Sequence, residues 1–63
     1  MKDELTIPTA DQALSCFIAC QTLTAMYLPI FLIRLDERTD EVYVLAGEET
    51  EILIDRSGIR RLL

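Results

Sequence analysis

Apolar residues are distributed differently in the two halves of the chain. Residues 10–28 carry apolar side chains at helical spacing and are followed by Pro29, whereas residues 30–63 form short apolar segments separated by turn residues. Apolar positions that recur every three or four residues predict a helix, and short segments between turn residues predict strands. The pattern therefore predicts one helix followed by several strands.

The start and end of the predicted helix have recognisable signals. Thr9 is followed three residues later by Gln12, the pattern of a capping box, and Asp11 adds a negative charge in the first turn. Pro29 disfavours a helical conformation at the residue before it. We therefore predict a helix from about Ala10 to Tyr27, preceded by a flexible or extended arm over residues 1–8.

The two sides of this helix differ in polarity. Placing side chains at about 100° per residue predicts one broad apolar face, formed by Ala10, Ala13, Leu14, Cys16, Phe17, Cys20, Thr24, Tyr27 and Leu28, and a polar side with Asp11, Gln12, Ser15 and Thr22. Ile18, Leu23 and Ala25 widen the apolar sector beyond half of the circumference. A helix that packs on one sheet needs only a narrower stripe. The excess indicates that the helix contacts both its own sheet and a second surface.

The stretch from Gln12 to Ile33 contains no charged residue, which raises the possibility of a membrane span. Its length meets the requirement of about 20 residues. Polar residues interrupt it, however, and Pro29 stands before its last apolar part. We interpret the stretch as a helix followed by a strand, with membrane anchoring through residues 13–33 as an alternative.

The second half of the chain has the periodicity of an antiparallel meander. In the first strand, Phe31, Ile33 and Leu35 are expected on one face and Ile30, Leu32 and Arg34 on the other. Val42 and Val44 are expected to oppose Tyr43 and Leu45 in the second strand, and Ile52 and Ile54 to oppose Glu51, Leu53 and Asp55 in the third. Asp55 to Gly58 suits a tight turn, and Ile59 to Leu63 would be a short edge strand. The predicted fold class is α+β, with one helix on three or four strands.

Self-association is expected from the size of the chain and its apolar surface. A domain of 63 residues has a small core and usually needs a disulfide, a metal or another chain for stability. The first two predicted strands are apolar on both faces, and monomers rarely expose large apolar patches. We therefore predict a dimer or higher oligomer with an interface formed by Leu14, Phe17, Ile18, Leu23, Tyr27, Phe31 and Ile33.

The charge of the chain bears on its partners and its location. The net charge is −5, from 6 basic and 11 acidic residues. Nucleic-acid binding is disfavoured, since it depends on basic side chains that neutralise phosphates. No apolar targeting segment precedes the domain, and the two cysteines then indicate reduced thiols in the cytoplasm.

The usual elements of catalytic and metal sites are not found. The chain has no histidine, so neither cysteine nor any serine has its usual general base, and two cysteines make only half of a four-thiolate zinc site. Cys16 and Cys20 share a helical face, where free cysteines act as small apolar residues. Pairs of acidic residues fall in predicted turns without the spacing of a calcium loop. We expect no enzyme activity, no cofactor and no metal site.

The C-terminal segment from Ile59 to Leu63 places Arg60 and Arg61 among apolar residues. A docking tail or a basic patch that touches a membrane is one interpretation. We favour an edge strand whose charges prevent aggregation.

Several short motifs resemble a family of short cyanobacterial proteins of unknown function, about 60 residues long. The resemblance covers residues 9–48 and follows the pattern T-x-x-Q-A, two helical cysteines, Y-x-P-I, D-x-R-T and Y-x-L-A-G-E. The matching residues are Thr9, Gln12, Ala13, Cys16, Cys20, Tyr27, Pro29, Ile30, Asp36, Arg38, Thr39, Tyr43, Leu45, Ala46, Gly47 and Glu48. The C-terminal segment lacks the aromatic residue of that family. The resemblance implies a bacterial cytosolic protein and a free-standing domain, and implies no activity.

The expected function is that of a non-enzymatic interaction module that associates with itself and engages a protein partner. One alternative is an antitoxin-like protein whose acidic turns neutralise a basic protein. The other is a small membrane-associated protein anchored by residues 13–33.

Overall fold

The computed structural model describes residues 7–63, which form one helix and one four-stranded antiparallel sheet. The elements are α1 (Ala10–Ala25), β1 (Ile30–Asp36), β2 (Glu41–Ala46), β3 (Thr50–Ile54) and β4 (Arg60–Leu62). The strands follow one another across the sheet in the order β1-β2-β3-β4. The predicted α+β class and its meander are thereby confirmed. Most of the arm predicted for residues 1–8 lies outside the described residues.

The helix begins with the predicted capping box. The hydroxyl of Thr9 accepts a hydrogen bond from the Gln12 amide at 3.0 Å, and the Gln12 side chain accepts one from the Thr9 amide at 2.9 Å. Each bond satisfies an amide group that has no partner within the helix. Asp11 lies in the first turn, as predicted.

The helix ends two residues before the predicted Tyr27. Met26 is the cap residue, and Tyr27 takes a left-handed conformation with φ 62°. The Tyr27 amide donates to the Thr24 carbonyl and the Leu28 amide to the Leu23 carbonyl, both at 2.9 Å. This is a Schellman motif, in which glycine usually holds the left-handed position. Pro29 follows at once, and the chain enters β1.

The side of the helix that packs on the sheet overlaps the predicted apolar face only in part, since Cys16, Cys20 and Leu23 pack against the core. The buried residues of α1 are Gln12, Ser15, Ala19 and Leu23. We predicted Gln12 and Ser15 on the solvent side, and that prediction was wrong. Small side chains at Ser15 and Ala19 suit a helix that lies close to its sheet, and the Gln12 amide, which is 1% exposed, finds backbone partners beneath it.

The core lies between α1 and the centre of the sheet. Its buried members are Leu23, Val42, Val44, Ala46 and Ile54, and Ile52 and Leu35 pack around them. Tyr43 and Leu45 of β2 and Leu53 of β3 are half-buried, and they alternate along their strands with these core residues. The alternation predicted for the second and third strands is therefore confirmed.

The first strand contains an irregularity that the predicted alternation missed. Ile30 pairs with Ala46 and Leu32 pairs with Leu45, so Phe31 has no partner in β2. Such a bulge inserts one extra residue and changes which face the preceding side chain occupies. Ile30 packs against the core, although we predicted it on the opposite face from Ile33 and Leu35.

The β3–β4 turn supports the start of the helix. The Asp55 side chain accepts hydrogen bonds from the amides of Ser57 at 2.8 Å and Ile59 at 3.1 Å. Gly58 has φ +87°, and a Cβ placed on it would lie 2.8 Å from the backbone oxygen of Asp11. The predicted turn is confirmed, and the turn is in direct contact with the first turn of α1.

Candidate interaction surface

An open groove of about 570 Å³ separates α1 from β1. Its helical wall carries the small side chains of Ala13, Cys16 and Cys20 together with Phe17, and its opposite wall carries Ile33 and Leu35 with Arg34 between them. The small residues recur at intervals of three and four along the helix, so they share one side of it. The helix and the edge of the sheet therefore leave an apolar channel between them.

Large apolar side chains are exposed on the outward side of α1 and along β1. Phe17 is 65% exposed and Phe31 is 63% exposed, and Leu14, Ile18 and Ile33 are also exposed. We call these five residues the α1/β1 surface. All five belong to the interface that the sequence predicts. Surfaces of this kind mark sites of association more often than isolated exposed apolar residues do.

The two remaining residues of the predicted interface lie elsewhere. Leu23 is a core residue with an exposure of 5%, and it lies on the far side of α1, beside Leu28 and Ile52. Tyr27 is 93% exposed, but it follows the end of the helix and lies beside Thr24 and Pro29. The α1/β1 surface is consequently smaller than the predicted interface.

The α1/β1 surface is free of charge along the helix. Asp11 is the only charged residue of α1, and no charged residue occurs from Gln12 to Ile33. A helix face that remains in water usually carries charged side chains. The outward side of α1 departs from this pattern, since it is apolar and uncharged beyond Asp11.

Both cysteines are free thiols at the side of the groove. They are half-buried and pack against the core. Burial raises the pKa of the Cys16 thiol to about 11, and the neighbouring Cys20 contributes through its charge and a hydrogen bond. Because the thiolate is the reactive form, Cys16 is a poor nucleophile at neutral pH.

Residues 7–61 match the model of a family described as a domain of unknown function (DUF6888). The chain belongs to this family. No curated protein matches the chain, and no solved structure matches it. The resemblance to a family of unknown function is thus confirmed at that level, and the function of this DUF6888 domain has to be inferred from its geometry.

Several acidic residues of the DUF6888 domain lie at the two ends of the sheet. Asp36, Asp40 and Glu41 lie at the β1–β2 turn, and Glu48 and Glu49 lie at the β2–β3 turn. The first three form ion pairs, with Arg38 at 3.2 Å, Arg56 at 3.5 Å and Arg61 at 3.0 Å respectively. The hydrogen bond from the Arg38 side chain lowers the pKa of the Asp36 carboxyl. The antitoxin-like alternative stays a prediction.

The described part of the chain contains no cluster of side chains that could bind a metal ion. Within residues 7–63, no three Cys, Asp or Glu side chains are close enough to one another to hold a metal ion. Gly47 and Gly58 lie in separate turns, so they do not form the glycine-rich loop that cradles phosphate.

The face of the sheet opposite the helix is partly shielded by its own polar groups. Tyr43 donates a hydrogen bond to the Glu51 carboxylate at 3.2 Å, and Arg61 of β4 reaches across to Glu41. Partial desolvation raises the pKa of Tyr43, and the bond to Glu51 raises it further. Long polar side chains of this kind cover apolar residues beneath them. This face is therefore less open than the α1/β1 surface.

The uncharged stretch of the sequence is divided as predicted. Residues 13–25 lie in α1, a turn follows, and residues 30–33 begin β1. Residues 7–63 contain no helix with the length and apolar character needed to cross a bilayer. The C-terminal edge strand is present as β4, in which Arg60 and Arg61 are exposed.

The sequence did not predict the groove itself. Ala13, Cys16 and Cys20 stand out only as small residues on one helical side, and Leu35 stands out only as one more apolar strand residue. Their recurrence at positions 13, 16 and 20 is the signal that was available. Small residues in register on a helix mark a place where a neighbouring element can approach closely or where space remains.

Proposed function

We propose that this DUF6888 domain is a non-enzymatic module that associates with itself through the α1/β1 surface and then engages a protein partner. The observation that supports the proposal best is Phe17, an aromatic side chain that is mostly exposed at the edge of an apolar groove and has no charged neighbour on its helix. Aromatic residues next to a pocket are the typical anchors of protein interfaces.

The non-enzymatic part of the proposal is supported by the chemistry of the available side chains. The chain has no histidine, and the thiol of Cys16 is held in its protonated form by its raised pKa. A nucleophile needs a neighbouring base or a lowered pKa, and Cys16 has the opposite shift. The groove therefore offers apolar contact more readily than catalysis.

The setting that we propose is the cytoplasm of a bacterium, specifically a cyanobacterium. The motif resemblance supports the source, and two free thiols fit a reducing compartment. The net charge of −5 argues against a nucleic-acid partner.

The self-association is tested by light scattering of the wild-type chain, Phe17→Asp and Ile59→Asp. Ile59 is a matched control because it is 61% exposed, close to the value for Phe17, but lies in the β3–β4 turn. The wild type and Ile59→Asp are expected at a multiple of the 7.2 kDa chain mass, and Phe17→Asp at the mass of one chain.

Circular dichroism shows whether each variant remains folded. Phe17→Asp is expected to fold because Phe17 is not a core residue. A wild-type chain that stays monomeric at sub-millimolar concentration would contradict the proposal. Equal effects of Phe17→Asp and Ile59→Asp would also contradict it.

A further inference from the structure

The sheet has one edge that is long, apolar and open. β1 is the first strand of the sheet, so one side of its backbone has no partner within residues 7–63. It has seven residues, of which the first four are apolar. Such an edge is a template for pairing with another strand.

We propose that two copies join along β1 in an antiparallel arrangement and form one continuous eight-stranded sheet. This inference rests on the self-association proposed above and specifies its geometry. The second copy contributes its own β1 edge and its own Phe17. The two grooves then merge into one apolar core beneath two α1 helices.

The other edge of the sheet is a poor alternative. β4 has three residues, Arg60–Leu62, and two of them are arginines. Short and charged edge strands resist pairing. Pairing of β1 with β4 of another copy would also leave free edges at both ends and continue into a fibre, whereas pairing of β1 with β1 closes as a dimer.

The length of β1 determines the register of the pairing. The strand runs from Ile30 to Asp36, so full overlap of two antiparallel copies places the midpoint, Ile33, opposite Ile33 of the other copy. Phe31 then faces Leu35 of the other copy. The two-fold axis of such an antiparallel pair is perpendicular to the sheet, so both helices lie on the same side of the joined sheet.

The spacing of the elements fits this arrangement. α1 lies over β2 and touches β1 and β3 on either side. Strands are about 4.8 Å apart, so the two helices would be about 14 Å apart, three strand spacings. Helices in direct contact are about 8–10 Å apart. The additional space corresponds to the groove, and Phe17 from both copies lies at its edge and can enter it.

The exposed area is adequate for a compact interface. An aromatic side chain has about 150–250 Å² to bury, so covering the exposed parts of Phe17 and Phe31 removes on the order of 250 Å² per copy. A typical stable interface buries about 800 Å² on each partner. The two side chains supply about a third of that area, and the edge of β1, Ile33 and Leu35 add to it.

An antiparallel arrangement also separates the acidic turns of two negatively charged copies. The β1–β2 turn, with Asp36 and Asp40, lies at one end of β1. In an antiparallel pair, the two turns lie at opposite ends of the seven-residue strand, roughly 20 Å apart. Charges at that distance are largely screened at physiological salt, where the Debye length is about 8 Å. A parallel arrangement would bring the turns together.

The experiment is disulfide cross-linking in a background with Cys16→Ala and Cys20→Ala. Opposed residues in an antiparallel pair have Cα atoms about 4.5–5.5 Å apart, within the range that a disulfide requires. Ile33→Cys is therefore expected to cross-link with itself under mild oxidation. Phe31→Cys alone is expected to cross-link at least tenfold more slowly, since two copies of this position lie about 13 Å apart.

A mixture of Phe31→Cys and Leu35→Cys completes the test, because these positions face one another. The expected result is a mixed disulfide dimer that neither variant forms alone. Light scattering of the cysteine-free background first shows whether the chains associate. Association without cross-linking at Ile33 would overturn pairing through β1 and leave self-association intact.

Two other results would overturn the inference. Cross-linking of Phe31→Cys as fast as Ile33→Cys would show a different register. If the cysteine-free variant and the wild type are both monomeric, the β1 pairing and the proposed function are both wrong.

Discussion

The side-chain amide of Gln12 donates a hydrogen bond to the main-chain carbonyl of Ile54 at 3.2 Å, deep between α1 and β3. The same nitrogen donates to the carbonyl of Asp40 at 2.6 Å. One buried amide therefore connects the first turn of the helix to two different parts of the sheet. Asp40 itself has a left-handed backbone conformation at the β1–β2 turn.

Replacement of Gln12 by alanine is expected to destabilise the domain by about 3 kcal/mol, because buried carbonyl groups lose their donor and a cavity remains. A domain of this size has a total stability of about 3–9 kcal/mol. Urea denaturation measures the change. Gln21→Ala is the matched control, since Gln21 is an exposed glutamine of the same helix. Equal midpoints for the two variants would contradict the role of Gln12.

Replacement of Ser15 by alanine is expected to leave the domain as stable or to stabilise it by up to about 1 kcal/mol. The Ser15 hydroxyl oxygen is buried without a hydrogen-bond partner within residues 7–63. Removing it eliminates an uncompensated desolvation, and alanine favours the helix. Thermal unfolding measures the change. A loss of more than 1 kcal/mol would show that the hydroxyl has a stabilising contact.

Replacement of Tyr27 by glycine is expected to stabilise the domain by about 1 kcal/mol. Tyr27 has φ 62°, a conformation that glycine adopts without steric cost, and its exposed side chain has little packing to lose. Tyr27→Ala is the control, since it removes the ring and keeps the strain. If both variants changed stability equally, the ring and not the backbone would be responsible.

The Cys16 thiol is expected to react with iodoacetamide roughly tenfold more slowly in the native protein than in urea at pH 8. The physical reason is its raised pKa of about 11, compared with an ordinary value of 9.0. Mass spectrometry of peptides measures Cys16 separately from Cys20. Equal rates in the native and unfolded protein would contradict the shift.

The same shift predicts how stability changes in alkaline solution. The folded state holds the Cys16 proton more tightly than the unfolded state, so this contribution is complete below the ordinary pKa of 9.0 and is lost as the pH rises towards about 11. Urea denaturation at several pH values measures the decline. The stability of the Cys16→Ala variant should fall less steeply with pH. The raised pKa of Tyr43 accounts for part of the decline that this variant still shows.

The limits of sequence-based prediction in this chain have physical causes. The start of α1 was predictable because the Thr9–Gln12 capping box is local, and the strands were predictable because turn residues separate them. The buried side of the helix was not, since apolar periodicity does not register that the Gln12 amide satisfies carbonyls of Asp40 and Ile54, which are distant in sequence. The bulge at Phe31 depends on pairing with β2, which has no local signal.

The candidate surface, like the fold, was predictable from the sequence only in part. Phe17 and Phe31 are prominent in the sequence because of their size, and the structure leaves both exposed. Leu23 resembles them in character but lies in the core, because it occurs on the same helical side as Gln12 and Ala19. The sequence shows which residues are apolar, and the choice between core and surface depends on how the helix is rotated over the sheet.

The contact between Gly58 and the Asp11 carbonyl has a practical consequence for protein engineering. Because no side chain fits between them, the turn around Gly58 is unsuitable for an insertion, a purification tag or a fluorescent label, any of which would displace the beginning of the helix. The exposed Glu48–Glu49 turn at the other end of the sheet lies away from that contact and from the edge of β1. A probe attached there would report on assembly while leaving the helix start and the open strand undisturbed.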